Sequence, residues 1–441
     1  MTIKNVCPYN RITVLITSLI SLFVYITPLF SEDDIFDENN LFSDSVTIVD
    51  SSYVVGIDTV DIQDQRRLGF SGEITASFQP SLTRSWFTDG NRSQDALFSS
   101  FAVGHISLDA RLPGGFKTFA SAETRYNAGS DSISFGIREL FLDVNIKKAV
   151  YFRMGKQVLQ WGRCYLWNPT DLINIEKKSF VRKIGSREGA YGLKMHIPFG
   201  TRYNIYGYLD ARNINRIDSI SGTAKFEFLI GKTEMAVSAW AKRRVSPVYA
   251  FDISTGFLDL LINGEIALYK KITIHGVSFT DSIPRFPSEE KKWLPRACIG
   301  VSRYFTVNGV PDRLMTTVEM YYNQPGNDQN ELPVPDRILN NDTLAAIILA
   351  SGLYEPNNIS RFYLSVFSSF NKFIISDMAL YINAIGNLNH RCAMVTAGIT
   401  YKNLHNFFYE LLFIGYIGKD RTEYTISNNG LQIQFSAGLS F

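Results

Sequence analysis

The feature that most constrains this chain is a series of period-two segments joined by alternately short and long connections. From residue 68 to residue 441, segments carry apolar residues on one parity and polar residues on the other. Alternation over about ten residues is typical of a strand with apolar surroundings on one face and water on the other. A membrane-spanning barrel requires alternating short turns and long loops, whereas a soluble sandwich does not.

The connections predict the number of strands. Short links are expected near residues 112–115, 147–148, 198–201, 230–233, 270–271, 308–312, 369–372 and 402–405. Long links are expected at about residues 80–97, 127–136, 159–188, 212–221, 244–262, 281–295, 324–360, 384–391 and 417–429. They predict an all-β, antiparallel transmembrane barrel of about 18 strands, with both termini on the periplasmic side. A count of sixteen stays open, because segments 68–80 and 272–280 alternate most weakly.

The last eleven residues, LQIQFSAGLSF, show the alternation most clearly. Leu431, Ile433 and Phe435 share one parity, while Gln432 and Gln434 share the other. The even strand count makes this segment the closing strand, which we expect to pair with residues 68–80. Its polar face carries no charge, so the selective surface is expected elsewhere in the barrel.

Parity also predicts which side chains line the interior. A charged side chain on the lipid face costs about 2–4 kcal/mol at mid-depth, so charged positions are assigned to the lumen. Most of these charges are expected to pair across the lumen, and the remainder would select solutes by charge. The candidate pore residues on the strands and at their ends are Arg111, Arg125, Arg153, Gln157, Lys194, Arg202 and Arg212.

The first 66 residues differ from the rest. Lys4 and Arg11 precede an apolar run at 12–30, which predicts a secretory signal over residues 1–31. Residues 32–66 contain ten of the 42 acidic residues and a single basic residue at the end, Arg66. They are expected to form an acidic periplasmic tail, either disordered or drawn in as a plug. From Arg66 onward, 42 Lys and Arg face 32 Asp and Glu, a formal balance of +10, and the expected barrel occupies residues 67–441 of this part.

Signatures of catalysis, metal binding and nucleic-acid binding are weak. Cys164, Cys298 and Cys392 follow the predicted signal, and no two of them have the spacing of metal ligands. They are expected to be unpaired, with no metal site and no cofactor. His105 and Asp109 could share a lumen face, but polar lining is the simpler interpretation, and an enzyme is not expected. The basic residues are spread along the chain, which does not favour a nucleic-acid partner.

The longest early connection carries a distinctive motif. Residues 153–171 read RMGKQVLQWGRCYLWNPTD, and the return strand contains Gly189 and Gly192-x-Lys194. Basic residues outnumber acidic ones in this connection, and a loop that folds inward would narrow the barrel. Its candidate selectivity residues are Arg163 and Asp171. Its candidate structural residues are Trp161, Gly162, Trp167, Asn168 and Pro169, because the tryptophans could anchor the loop and Asn-Pro forms turns.

These residues resemble the signature of porin-like outer-membrane proteins. The nearest groups are the alginate-export-like barrels and a family of predicted outer-membrane porins. Trp161-Gly162 stands where the alginate-export-like pattern has Tyr-Gly, and Asn-Pro-Thr-Asp is closer to the second group. The resemblance covers about forty residues, and it implies a bacterial outer-membrane barrel surrounded by lipid. The terminal strand ending at Phe441 likewise resembles those recognised by the barrel-assembly machinery.

The sequence therefore favours an outer-membrane channel, monomeric or homotrimeric, for small polar solutes with a mild preference for anions. One alternative is a specific exporter or importer of a larger substrate, such as an acidic polysaccharide, which needs a continuous basic track. A transporter of hydrophobic compounds would need an apolar lumen, which the parity of the charged residues opposes. A barrel enzyme using His105 is the third alternative.

Overall fold

The structure is a computed structural model whose described residues all lie in one unit, Gly56–Phe441. The described residues are 67–83, 96–112, 115–159, 161–173, 189–212, 219–270, 278–280, 283–285, 292–328, 330, 357–403, 406–419, 422–425 and 429–441. Four features predicted from the sequence therefore lie outside them. Three are the signal at 1–31, the acidic tail at 32–66, and most of the basic residues of the long early connection (Lys177, Lys178, Arg182, Lys183 and Arg187). The fourth is a short helix at the barrel mouth, which the apolar run at 344–349 predicts.

The described residues form twenty β-strands, and no helix among them is long and apolar enough to cross a membrane. The strands are β1 (Arg67–Thr83), β2 (Ala96–Leu112), β3 (Phe116–Asn127), β4 (Ser132–Ile146), β5 (Val150–Gln157), β6 (Ala190–Phe199), β7 (Tyr203–Asp210), β8 (Ser221–Ile230), β9 (Thr233–Lys242), β10 (Val248–Phe257), β11 (Leu260–Lys270), β12 (Ser278–Thr280), β13 (Ile283–Arg285), β14 (Trp293–Val307), β15 (Val310–Asn323), β16 (Phe362–Asn371), β17 (Met378–Asn387), β18 (Cys392–Lys402), β19 (Phe407–Ile417) and β20 (Asn429–Ser440).

Eighteen of these described strands form one closed antiparallel barrel, and β12 pairs only with β13 in a small separate hairpin. Each barrel strand pairs with the next one along the chain, and β1 closes the barrel on β20. Arg67 at the start of β1 pairs with Arg111 at the end of β2, and Glu73 pairs with Ser440 at the end of β20. The start of β1, the β2–β3 turn and the end of β20 therefore lie at the same rim of the barrel. We call it the turn rim and the opposite one the loop rim. The predicted fold, strand number and closing pair are confirmed.

Two predicted connections are wrong, although the strand count is unaffected. Residues 248–257, expected in a loop, form β10, and the turn that follows is Leu258–Asp259 rather than residues 270–271. Both turn residues have positive φ, 47° and 59°, as a two-residue type I′ hairpin turn requires. Neither is Gly or Asn, so the sequence carries no strong turn signal there. The predicted strand at 272–280 is not a barrel strand, because its described part is β12 of the small hairpin.

A third expected connection is shorter than predicted. The long link expected at residues 127–136 is a four-residue turn, because β3 ends at Asn127 and β4 begins at Ser132. Residues 127–132 are polar or small, so the sequence predicts a loop that is longer than the turn and includes residues of both strands. The apolar pair Ile374 and Ile375, which fits no strand parity, lies in the turn between β16 and β17 and is exposed.

The two faces of the barrel differ as the parity predicts. Large apolar side chains project outward, and Leu68, Ile133 and Phe135 are 75%, 72% and 69% exposed. In β8, Lys225 and Glu227 are buried inside, while Ala224 and Phe226 alternate with them on the outer face. An apolar belt of this kind is stable only against lipid, so the polar face encloses the lumen.

Candidate functional site

Residues 161–173, which we call the inward segment, pass through the lumen after β5 ends. They pack against the inner faces of β8 to β11 and of β14 to β16, so they cover one side of the barrel. We call that side the covered wall and represent it by its five buried carboxylates, Glu227, Glu234, Asp252, Glu265 and Glu319. The described part of the long early connection therefore narrows the lumen.

Two of these carboxylates bind the backbone of the inward segment. Glu265 accepts hydrogen bonds from the backbone N–H of Cys164 at 2.6 Å and of Thr170 at 3.1 Å, and from the Thr170 hydroxyl at 2.8 Å. Glu319 accepts the backbone N–H groups of Tyr165 and Leu166, the latter at 2.8 Å. The segment has no regular secondary structure, so these bonds satisfy donors that a helix or sheet would otherwise satisfy.

Arg163 binds the other three carboxylates. Its guanidinium donates to Asp252, to Glu234 at 2.6 Å between Nη1 and Oε2, and lies 3.5 Å from Glu227. Burial lowers the pKa of Arg163, but Asp252, Glu234 and Glu227 outweigh it and raise that pKa. Lys225 lies 3.4 Å from Asp252 and donates to the carbonyl of Trp161. The charges of this wall are therefore largely compensated locally and removed from solvent.

Aromatic side chains anchor the start and the middle of the segment. The indole N–H of Trp167 donates to the carbonyl of Asn357 at 2.9 Å, and its ring stacks on Tyr321 at 5.4 Å between centroids. Trp161 packs beside Tyr206, and the Tyr269 hydroxyl donates to the carbonyl of Pro169. Both tryptophans are buried inside the barrel, so they tie the segment to the wall rather than to an outer loop.

Close packing around Gly162 explains why a glycine follows Trp161 in the motif. A Cβ atom at this position would lie 2.3 Å from the side-chain oxygen of Asn168 and 2.7 Å from Glu265. Any larger residue would push the segment away from the carboxylate that binds its backbone. Glycine is required here by the close approach of Asn168 and Glu265.

The opposite side of the lumen, which we call the accessible wall, is formed by β2 to β5. Its charges also form ion pairs, but these stay partly open to solvent. Arg153 makes two hydrogen bonds to Asp143 at 2.6 and 2.9 Å, and the two side chains are 27% and 23% exposed. Further pairs among the described residues are Arg138–Glu123 at 3.1 Å, and Asp109 with both Arg111 and Lys117 at 3.3 Å.

The remaining candidate pore residues are distributed around the barrel. Arg125 lies over the ring of Phe101 at 4.2 Å on the accessible wall. Lys194 and Gln157 are buried near the start of β6, and the Gln157 amide donates to two backbone carbonyls. Arg212 pairs with Asp210 and donates to the carbonyl of Ile173 at the end of the inward segment.

Two candidates lie in other surroundings. Asp171 is buried within the inward segment, in the turn that Asn168 closes through its carbonyl. Arg202 lies in the short turn between β6 and β7 and is exposed at the turn rim. His105, the candidate for catalysis, is 2.7 Å from the hydroxyl of Ser121 in the lumen. The structure thus brings Arg163, the tryptophans and Pro169 together, but separates them from Arg202.

A second inward cluster was not found from the sequence. Glu423, between β19 and β20, accepts hydrogen bonds from Tyr363 at 2.9 Å, from Asn387 at 2.7 Å and from the backbone N–H of Asn357. Burial raises the pKa of Glu423 to about 7, although the bonds from Asn387, Asn357 and Tyr363 oppose the rise. Burial also lowers the pKa of the nearby His390 to about 4. These residues are far apart in the chain and show no common motif.

Comparison with solved structures identifies the fold. OccAB3 of Acinetobacter baumannii matches over 85% of this chain and 99% of its own, with a TM-score of 0.51 at 9% identity. OccAB1 of the same organism matches over 86% and 99%, with a TM-score of 0.50 at 7% identity. The chain has the fold of the porin-like outer-membrane barrels. No family model matches the sequence, and no curated protein matches it.

Proposed function

We propose that this protein is an outer-membrane channel that passes small polar solutes, with a mild preference for anions. The observation that carries the proposal is the contrast between the walls, because solvent reaches the charged side chains of the accessible wall while the inward segment occupies the other. In this proposal the turn rim faces the periplasm, and the lumen beside the accessible wall is the passage.

The anion preference follows from where the charges lie. Five acids of the covered wall are buried under the inward segment. Arg163 and Lys225 pair with three of them, and backbone N–H groups of the segment bind Glu265 and Glu319. On the accessible wall, Asp109 is shared between two cations, and the barrel as a whole carries an excess of basic residues. A passage lined in this way attracts anions weakly, since most of its charges are paired.

The alternative of a polysaccharide exporter needs a continuous basic track, and the geometry argues against one. Arg153 is held by Asp143, Arg163 is surrounded by acids, and Arg202 lies in a turn at the rim. A continuous basic track through the lumen would require arginines such as these to lie next to one another. Their separation favours the channel over the exporter.

Reconstitution of the purified protein into a planar lipid bilayer tests the proposal. We expect discrete conductance steps and, in a KCl gradient, a reversal potential that indicates mild chloride preference. Arg125→Gln should move this potential toward potassium, because it removes a cation from the accessible wall. Arg202→Gln is the control, since it removes the same charge at the turn rim. Absence of conductance would refute the channel, and cation preference of the unmodified protein would refute the anion bias.

A further inference from the structure

Three side chains with metal-binding chemistry meet beneath the inward segment. The Sγ atoms of Cys164 and Cys298 and a carboxylate oxygen of Glu319 all lie within 4.8 Å of one another, and all three residues are buried. Cys164 belongs to the inward segment, Cys298 to β14 and Glu319 to β15. They are too far apart in the sequence to form a metal motif, so sequence spacing predicted no site here.

We propose that Cys164, Cys298 and Glu319 bind a thiophilic divalent cation of the Zn²⁺ class. Thiolate and carboxylate are ligands that zinc accepts, at metal–ligand distances of about 2.0–2.3 Å. In a tetrahedral site such ligand atoms lie about 3.3–3.8 Å apart, so only small side-chain rotations are required. Binding displaces the two thiol protons to solvent, and it leaves one coordination position for water.

The charge around the three ligands favours a cation. Glu265 and Glu319 are both buried here, and each is hydrogen-bonded by backbone N–H groups of the inward segment. The neighbouring cations, Arg163 and Lys225, make their ion pairs with Glu227, Glu234 and Asp252. Because the ion replaces two thiol protons, the net charge of the site does not change on binding, but the Glu319 carboxylate gains a cation as a direct partner beside the N–H groups that bind it now.

The arrangement suits a metal better than a disulfide. The two cysteines are free thiols, and a disulfide would make no use of a carboxylate oxygen within 4.8 Å of both sulfurs. A bound ion would join the inward segment to two adjacent wall strands at one point. The lumen would thereby be narrowed by a segment that cannot swing away from the wall while the ion is bound.

Cobalt titration tests the site directly. The full-length barrel, purified with reductant and chelator and then freed of both, is titrated with Co²⁺ and followed by absorption. We expect one ion per chain, with an intense sulfur-to-cobalt charge-transfer band and the visible bands of tetrahedral cobalt. Zn²⁺ should displace Co²⁺ and abolish these bands. Cys164→Ser and Cys298→Ser should each weaken binding at least tenfold, and Glu319→Gln should weaken it similarly.

Cys392 provides the matched control, because it is also a buried cysteine of the same barrel but lies outside the three-ligand group. Cys392→Ser should keep the full spectrum and affinity. Heat-modifiable migration on gels verifies that each variant has a folded barrel. Cys164→Ser changes the ligand on the inward segment and leaves both ligands on the wall strands in place. The proposal is overturned if folded protein shows no charge-transfer band, if Cys392→Ser loses it equally, or if mass spectrometry finds Cys164 and Cys298 joined as a disulfide.

Discussion

The covered and accessible walls have the same alternation of side chains along their strands, yet charged side chains are buried at the first and partly exposed at the second. In both walls, charged residues occupy the lumen parity of adjacent antiparallel strands. Their partners lie on neighbouring strands at the accessible wall and largely on the inward segment at the covered wall. Arg153 and Asp143 on the accessible wall are 27% and 23% exposed, whereas Arg163 and Asp252 at the covered wall are 14% and 0% exposed. The difference teaches that parity decides which face a charge occupies, while the inward segment decides whether water reaches it.

This difference changes what each ion pair contributes to stability. A pair that water reaches contributes about 1 kcal/mol or less, because solvent screens it. Breaking a buried pair costs about 3–5 kcal/mol, because the remaining partner keeps an uncompensated charge. The covered wall should therefore tolerate substitution poorly, and the accessible wall should tolerate it well.

The largest effect is expected from Arg163→Ala compared with Arg153→Ala. Loss of Arg163 leaves Asp252, Glu234 and Glu227 with Lys225 as the one cation that the described residues place beside them, so the inward segment should lose about 3–5 kcal/mol of its binding to the wall. Amide hydrogen exchange at 164–170 should accelerate, and single-channel conductance should rise. Arg153→Ala should cost about 1 kcal/mol or less and leave exchange in the inward segment unchanged. Equal effects of the two variants would contradict the distinction between the walls.

A second prediction concerns pH and Glu423. The pKa of this carboxyl in the folded protein, about 7, lies above its ordinary value, so the folded state binds the proton more tightly. This tighter proton binding adds about 3 kcal/mol to the free energy of unfolding. The contribution is complete below pH 4.5 and is lost as pH rises through about 7. Glu423→Gln, which cannot ionise, should lack this loss when the free energy of unfolding is measured from pH 5 to pH 8.

Tyr424→Phe is the control for Glu423→Gln. It removes a hydrogen bond from the Tyr424 hydroxyl to Asn357 in the same cluster without removing a carboxyl group. It should lower stability by about 1 kcal/mol at every pH and keep the slope of the unmodified protein. If the free energies of unfolding of the unmodified protein and of Glu423→Gln change in parallel with pH, the raised pKa of Glu423 is wrong.

The smallest effect is expected from Gly162→Ala compared with Gly104→Ala. The new methyl group at 162 would collide with Asn168 and Glu265, and overpacking of this kind costs about 1–3 kcal/mol. Gly104 lies in β2 on the accessible side, and a Cβ there would meet no atom within 4 Å. Urea unfolding followed by tryptophan fluorescence should show destabilisation at 162 and little change at 104. A stable Gly162→Ala protein would show that the segment does not need its close approach to Glu265.

Sequence reasoning succeeded where the signal is repeated and failed where it depends on one residue pair. Eighteen strands follow from many alternating segments, so one misplaced turn at 270–271 leaves the count intact. The turn at Leu258–Asp259 was missed because both residues have positive φ although neither is a glycine or asparagine, the residue types by which such a turn is recognised in a sequence. Likewise, Trp161, Gly162 and Pro169 could be singled out as a motif, but their partners Lys225, Glu265 and Tyr269 could not be inferred from spacing.

The sequence by itself determined the strand parity, the closure of β20 on β1 and the polar character of the lumen. These properties follow from a local period of two and from the cost of placing charge against lipid, both of which can be read residue by residue. Only the tertiary structure decided which charges are buried, because burial of the covered wall depends on an irregular segment bound across the barrel. The meeting of Cys164, Cys298 and Glu319 has the same origin, since Cys164 is more than a hundred positions from the other two and becomes their neighbour only when the inward segment reaches β14 and β15.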